Sequence, residues 1–157
     1  MERVDLSNKS WELPFTCRAA ALIINNNKLL MAKTANYPMY YTIGGAIQIH
    51  ENSEEAIIRE IFEEIGCHLE INRLVFIQER FFEVQKKKHH EIVFFYLMKS
   101  EPIAYISDYS KTDQPKETLH WLPLDELENY DITPQFLKSK CLSNITSLEH
   151  IISFEYT

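Results

Sequence analysis

Gly44 to Cys67 reads GGAIQIHENSEEAIIREIFEEIGC, and this stretch decides how the chain is to be read. It opens on two of the chain's three glycines and ends just after the third, Gly66. Asn52 and Glu55 stand at the Ncap–N3 spacing of a capping box. Ile57, Ile58, Ile61, Phe62 and Ile65 then recur with a helical period, and Gly66 supplies a C-terminal stop. The spacing therefore predicts a helix from Asn52 to Gly66. On it, Glu60, Glu63 and Glu64 occupy positions i, i+3 and i+4, which share one face. Like charges so placed cost stability, so this face calls for solvent or a cation. Carboxylate oxygens suit a hard ion, Mg²⁺ first and Mn²⁺ as a substitute. Arg59 is adjacent, and an Arg59–Glu51 pair would pin the preceding loop to the helix. That loop would then hold the Gly44-Gly45 backbone towards the carboxylates. Taken alone, REIFEE is also what an ordinary exposed acidic face looks like.

Upstream, Phe15 to Ile24 and Lys28 to Lys33 read as two strands joined by a turn at Asn25-Asn26-Asn27, because Asn tolerates the left-handed region. Tyr40 to Ile43 is aromatic and β-branched and reads as a short strand ending at Gly44-Gly45. Downstream, Glu70 to Val84 and Glu91 to Met98 are extended, with Lys86 to His90 as their connection. Trp121-Leu122-Pro123-Leu124 leads into a short turn or helix. Pro134 sits in the first turn of a predicted helix running to about Leu142, where proline is tolerated. Ile151 to Tyr156 closes as a strand. This element order predicts a mixed α/β or α+β domain.

The chain has 157 residues, 45% hydrophobic and 25% charged, which fits one globular domain over residues 1–157. No apolar run reaches membrane-spanning length, and Met1 to Asp5 is polar, unlike a signal peptide, so a cytoplasmic protein without a membrane partner is expected. Cys17, Cys67 and Cys141 are too far apart for a zinc motif and read as reduced thiols. A net charge of −7 argues against a nucleic-acid polymer as partner. The one basic cluster, Lys86-Lys87-Lys88, reads as a solvated loop. An acidic protein with an anionic substrate needs something to reverse the local field, and a divalent cation does so most simply.

Gly45, Glu51, Arg59, Glu60, Ile61, Glu63, Glu64 and Gly66 stand at the spacing G-x5-E-x7-R-E-U-x-E-E-x-G-U, where U is a bulky aliphatic residue. This resembles the Nudix box, complete at every strictly specified position. Seven fixed residues, each used at roughly 7%, would coincide by chance about once in 10⁸ starts. Tyr40 to Gly45 resembles the strand that leads into the box, and His120 to Leu127 a downstream segment common in the family. The departures are Cys67 at the last aliphatic position, Gln48 where many members carry Glu, and His50 where many carry Gly.

The resemblance implies a Nudix α/β/α sandwich, with a mixed, curved sheet between helices. It implies Mg²⁺ on Glu60, Glu63 and Glu64 with the Gly44 carbonyl, and a further carboxylate, best matched by Glu117. The implied reaction is attack of water on a diphosphate linkage in a small nucleotide-type substrate, with Glu60, Glu63 or Glu117 as the base. Arg18, Gly45, Tyr41 and Glu51 are candidate substrate contacts. Tyr37, Tyr40 and Phe95 are further candidates for stacking on a base, and Glu91 and His89-His90 for lining a pocket. Marks of subfamilies acting on ADP-ribose, NADH or coenzyme A are missing; Glu83, for instance, stands where a proline is expected for ADP-ribose hydrolases. What remains is a compact, minimal domain similar to nucleoside-triphosphate and house-cleaning pyrophosphatases, which implies a nucleoside triphosphate or modified nucleotide as substrate; homodimers are frequent in the family. The rival readings are a catalytically silent nucleotide sensor and an unrelated α/β protein with an acidic helix. The intact box favours the hydrolase.

Overall fold

The computed structural model of the chain describes residues 14–99 and 117–156. The polar opening Met1 to Asp5 lies outside them. The element at the centre is β1 (Phe15–Leu22), which pairs in parallel with β7 (Lys87–Met98) and antiparallel with β5 (Ile43–Ala46). β6 (Ile71–Val84) pairs antiparallel with β7, and β10 (Glu149–Glu155) lies parallel to β6. The order of this mixed sheet is β10-β6-β7-β1-β5. A second mixed sheet carries β2 (Ile24–Asn25), β3 (Lys28–Lys33), β4 (Tyr40–Tyr41) and β9 (Ile132–Thr133), with β8 (Thr118–Pro123) also on β3. This is a mixed α+β architecture of two mixed sheets with few helices.

Alternation along β1 divides the interior into two cores. Ala19 and Ala21 face Ile57, Ile61 and Ile65 of the helix α1 (Ser53–Ile65). Ala20 and Leu22 face the other way, onto Phe76, Phe95, Leu127 and Leu137. Each fully buried Ile of α1 contributes about 1.5–3 kcal/mol by leaving water. Ile58 and Phe62, on the same apolar period, remain exposed; Phe62 stacks on His68 instead.

Three local expectations change. Residues Pro134 to Leu142 do not form an α-helix; a 3₁₀ turn spans Gln135–Ser139 behind Pro134. The segment buries only Leu137 within that turn, too little of an apolar stripe to sustain further turns. Among the described residues, the layer opposite α1 carries this turn and the 3₁₀ turn Leu124–Asn129. The connection after β6 is two residues, Gln85-Lys86, both at positive φ, so His89 and His90 belong to β7. There they stack on Phe82 and Phe81 across the hairpin, which extends the pairing. Gly44 and Gly45 lie inside β5 rather than after it.

Candidate active site

The loop before α1 is organised by hydrogen bonds from both ends. Asn52 accepts from the Glu55 backbone while the Glu55 carboxylate accepts from Asn52, closing the capping box. His50 holds φ 63°, so the loop keeps a left-handed residue without glycine there. Arg59 donates to both oxygens of Glu51, from Nε at 2.6 Å and Nη2 at 2.9 Å. Nη2 also reaches the Ala46 carbonyl at 3.2 Å, tying helix, loop and β5 together. The same guanidinium contacts Glu60 at 2.7 Å and Glu63 at 3.2 Å.

The three helix carboxylates are not equivalent. Glu63 is half exposed. Glu60 packs over Gly45 so closely that a Cβ there would overlap its carboxylate. Burial raises the Glu60 pKa, and Arg59 partly opposes that rise. Glu64 is buried, and its Oε2 has no hydrogen-bond partner. Burial first, then repulsion from Glu117 and Glu60, pushes its pKa up to about 9, while a hydrogen bond from the Gly44 backbone pulls the other way. Gly44 itself has φ 151°, and a Cβ would run into the Ala19 carbonyl on the neighbouring strand. Glycine is therefore required where β5 crosses β1.

Across from Glu64, the buried Glu117 accepts a short hydrogen bond from the Tyr41 hydroxyl. Burial, then Glu117, holds that phenol far above its usual pKa. Arg18 on β1 is close enough to act electrostatically on Tyr41, Glu60 and Glu64.

A pocket of about 390 Å³ opens at this point. Arg18, Tyr41, Gly44, Glu64 and Glu117 line one part of it. Gln78, Arg80, Glu91, Val93, Phe95 and Thr133 line another. Of the candidates from sequence, Glu51, Arg59, Glu60 and Glu63 lie outside the pocket lining, in one ion-pair cluster, and Gly45 lies outside it beneath Glu60. Tyr37 and Phe95 do line it, but Tyr40 does not: it packs edge-on to His120 and Tyr130 with Lys33 over its ring. His89 and His90 are likewise absent from the lining. Sequence reasoning missed Gln78 and Arg80. The usable signal was polar residues at every second position of a strand whose same face carries Phe76.

Among the described residues, no three His, Cys, Asp or Glu side chains converge closely enough to chelate one ion. Glu60 is paired with Arg59, Glu117 bonds Tyr41, and Glu64 Oε2 has no hydrogen-bond partner.

A NUDIX domain model matches residues 15–140. The chain belongs to the NUDIX domain family. It is thereby a Nudix-type pyrophosphohydrolase, of a family that acts on small nucleotide-type substrates. No curated protein sequence matches it significantly. Among solved structures, the mutator MutT protein of Bacillus halodurans superposes with a TM-score of 0.66 at 14% identity, covering 88% of this chain and 89% of that one. An ADP-ribose pyrophosphatase of Streptococcus suis gives 0.58 at 14%, covering 88% and 98%. A NUDIX family hydrolase of Clostridium perfringens gives 0.56 at 18%, covering 78% and 91%. At such identities the likeness is one of fold. No helix among the described residues is long and apolar enough to cross a membrane.

Proposed function

We propose that this Nudix protein hydrolyses a diphosphate linkage in a nucleoside triphosphate or modified nucleotide, using Mg²⁺ or, in its place, Mn²⁺. The observation that carries the reading is one pocket joining a buried Glu64, whose Oε2 has no hydrogen-bond partner, to a space of small-ligand size. The residues fit a hard divalent cation. Their donors are oxygens, the Glu64 Oε2 is orphaned, and the Glu60 and Glu117 carboxylates are near enough to raise its pKa. Glu60, Glu64 and Glu117 would hold the ion once Glu60 is drawn from Arg59 and Glu117 from Tyr41, with Glu63 at the exposed edge. When bound, the cation supplies charge against the diphosphate and lowers the pKa of water.

The chain's own residues do the rest. Arg18, in the pocket lining, orients the phosphate oxygens. Gly44 lines the pocket without a side chain, and Gly45 leaves room for the Glu60 carboxylate. Glu51 acts through Arg59, fixing the helix against β5. Tyr41 holds Glu117 in place through its hydroxyl. The proton of the attacking water goes to one of Glu60, Glu63 and Glu117. In this reading residues 1–157 act as one Nudix domain.

The test is phosphate release, after added phosphatase or pyrophosphatase, over nucleoside triphosphates, oxidised nucleotides and nucleotide sugars, with and without Mg²⁺. Mg²⁺-dependent release from a triphosphate or oxidised nucleotide is expected. Release from nucleotide sugars alone would overturn the substrate assignment. Silence across the panel with nucleotide still binding would make the protein a sensor.

A further inference from the structure

Gln78 lies in the middle of β6, and its side chain is 1% exposed. Burying a primary amide is costly unless its donors and acceptors are met. Its Nε2 donates to Ser153 Oγ at 2.9 Å, which fixes the amide from the β10 side. Its Oε1 is buried with no partner, and the residue lines the pocket. The neighbouring polar groups do not compete for it. Arg80 is engaged by Glu155 at 2.8 Å, Glu91 at 3.3 Å and Thr133 at 3.4 Å, and lies over the Phe82 ring. The cross-strand partner of Gln78 is Val93, and Phe95 lies one pleat further along the same face of β7. Both are apolar and both line the pocket. A polar atom set among such walls makes a stronger hydrogen bond than one in water.

The position also fits. Arg18 pairs with Val93, and Val93 with Gln78, so the three lie in one row across three adjacent strands. Two inter-strand spacings separate Arg18 from Gln78, about 10 Å of backbone. That is the reach of a nucleoside from its phosphate to the edge of its base.

We propose that Gln78 is a specificity-determining residue of this pocket, its Oε1 accepting a hydrogen bond from an N–H or amino group on the edge of the substrate's nucleobase. The inference rests on the nucleotide reading above, but it concerns binding and not cleavage. A site built around such an acceptor discriminates between bases, because a base without a donor at that point leaves the amide unpaired.

The test is equilibrium binding of the α,β-methylene triphosphates of adenosine, guanosine, cytidine and uridine in Mg²⁺, with methylenediphosphonate as the control without a base. The wild type should rank the four bases over at least tenfold. Gln78→Met, close in shape and without an amide, should weaken the tightest of them about tenfold and level the ranking, while methylenediphosphonate binds as before. Gln78→Glu keeps an acceptor and should keep the ranking. An unchanged ranking in Gln78→Met would mean that the amide only holds a structural water. Loss of the ranking in Gln78→Glu would mean that Nε2, not Oε1, faces the ligand; either result overturns the proposal. Should Gln78→Met not fold, Gln78→Asn withdraws the amide by one methylene and the same loss is expected. Failure of all four analogues to bind the wild type sinks this inference and the nucleotide reading together. A ranking that depends on Gln78, without cleavage of any natural triphosphate, sinks the hydrolase reading alone.

Discussion

At Glu64, burial and charge repulsion act in the same direction. The side chain is buried, faces Glu117 and Glu60, and has its pKa pushed up to about 9 from 4.5. A raised folded pKa means the folded protein holds the proton more tightly than the unfolded chain. The associated stability is fully present below about pH 4.5 and is lost as pH rises towards 9. The melting temperature of metal-free protein should therefore fall between pH 5 and pH 9, read by calorimetry in a chelator. Glu64→Gln should flatten most of that slope and cut turnover at least a hundredfold. A flat wild-type profile would refute the assigned burial. The helical spacing placed Glu60, Glu63 and Glu64 on one face, and that much was legible. Which of them is buried was not, because the answer depends on Gly44 and Glu117, the latter more than 50 residues away.

The loop–helix unit from Gly44 to Gly66 was the most legible element, since its caps, period and Arg59–Glu51 contact are all short-range. Arg59 bonds both oxygens of Glu51, and both side chains are 14% exposed. Removing one partner of such a pair costs about 3 kcal/mol, chiefly because the other charge is left buried. Arg59→Ala should lower stability by about that amount in urea unfolding and reduce turnover as the loop loosens. Arg59→Lys should restore little, because an ammonium cannot reproduce the fork. Near-complete rescue by lysine would show that charge alone matters there. The segment after Pro134 was less legible. Proline announces a helix start, but α-helix or 3₁₀ turn depends on how much apolar surface the rest of the fold accepts.

For the whole molecule, the acidic cluster sits at the meeting of α1, β1, β4 and β5, so filling it with a cation should stabilise all of them at once. Mg²⁺ at a hundredfold excess over its dissociation constant should raise the melting temperature by about 5–10 °C. The rise should be larger at pH 8 than at pH 6, because the ion must displace the proton held at Glu64. Equal rises at the two pH values would separate the ion from that carboxylate.

The sequence by itself determined the family, the box helix with its caps, the Asn turn, the long strands and the chemistry of a carboxylate-rich site. Those features are set by residue spacing within one or two turns of chain. Only the tertiary structure decided that Glu64 is buried with one oxygen unpartnered, that Glu117 is tied to Tyr41, and that Gln78 and Arg80 face the pocket rather than a core. The reason is that β1 brings α1, β5 and β7 together while β6 follows on β7. Burial and electrostatic environment are sums over neighbours distant in sequence, and only the strand order fixes which neighbours those are.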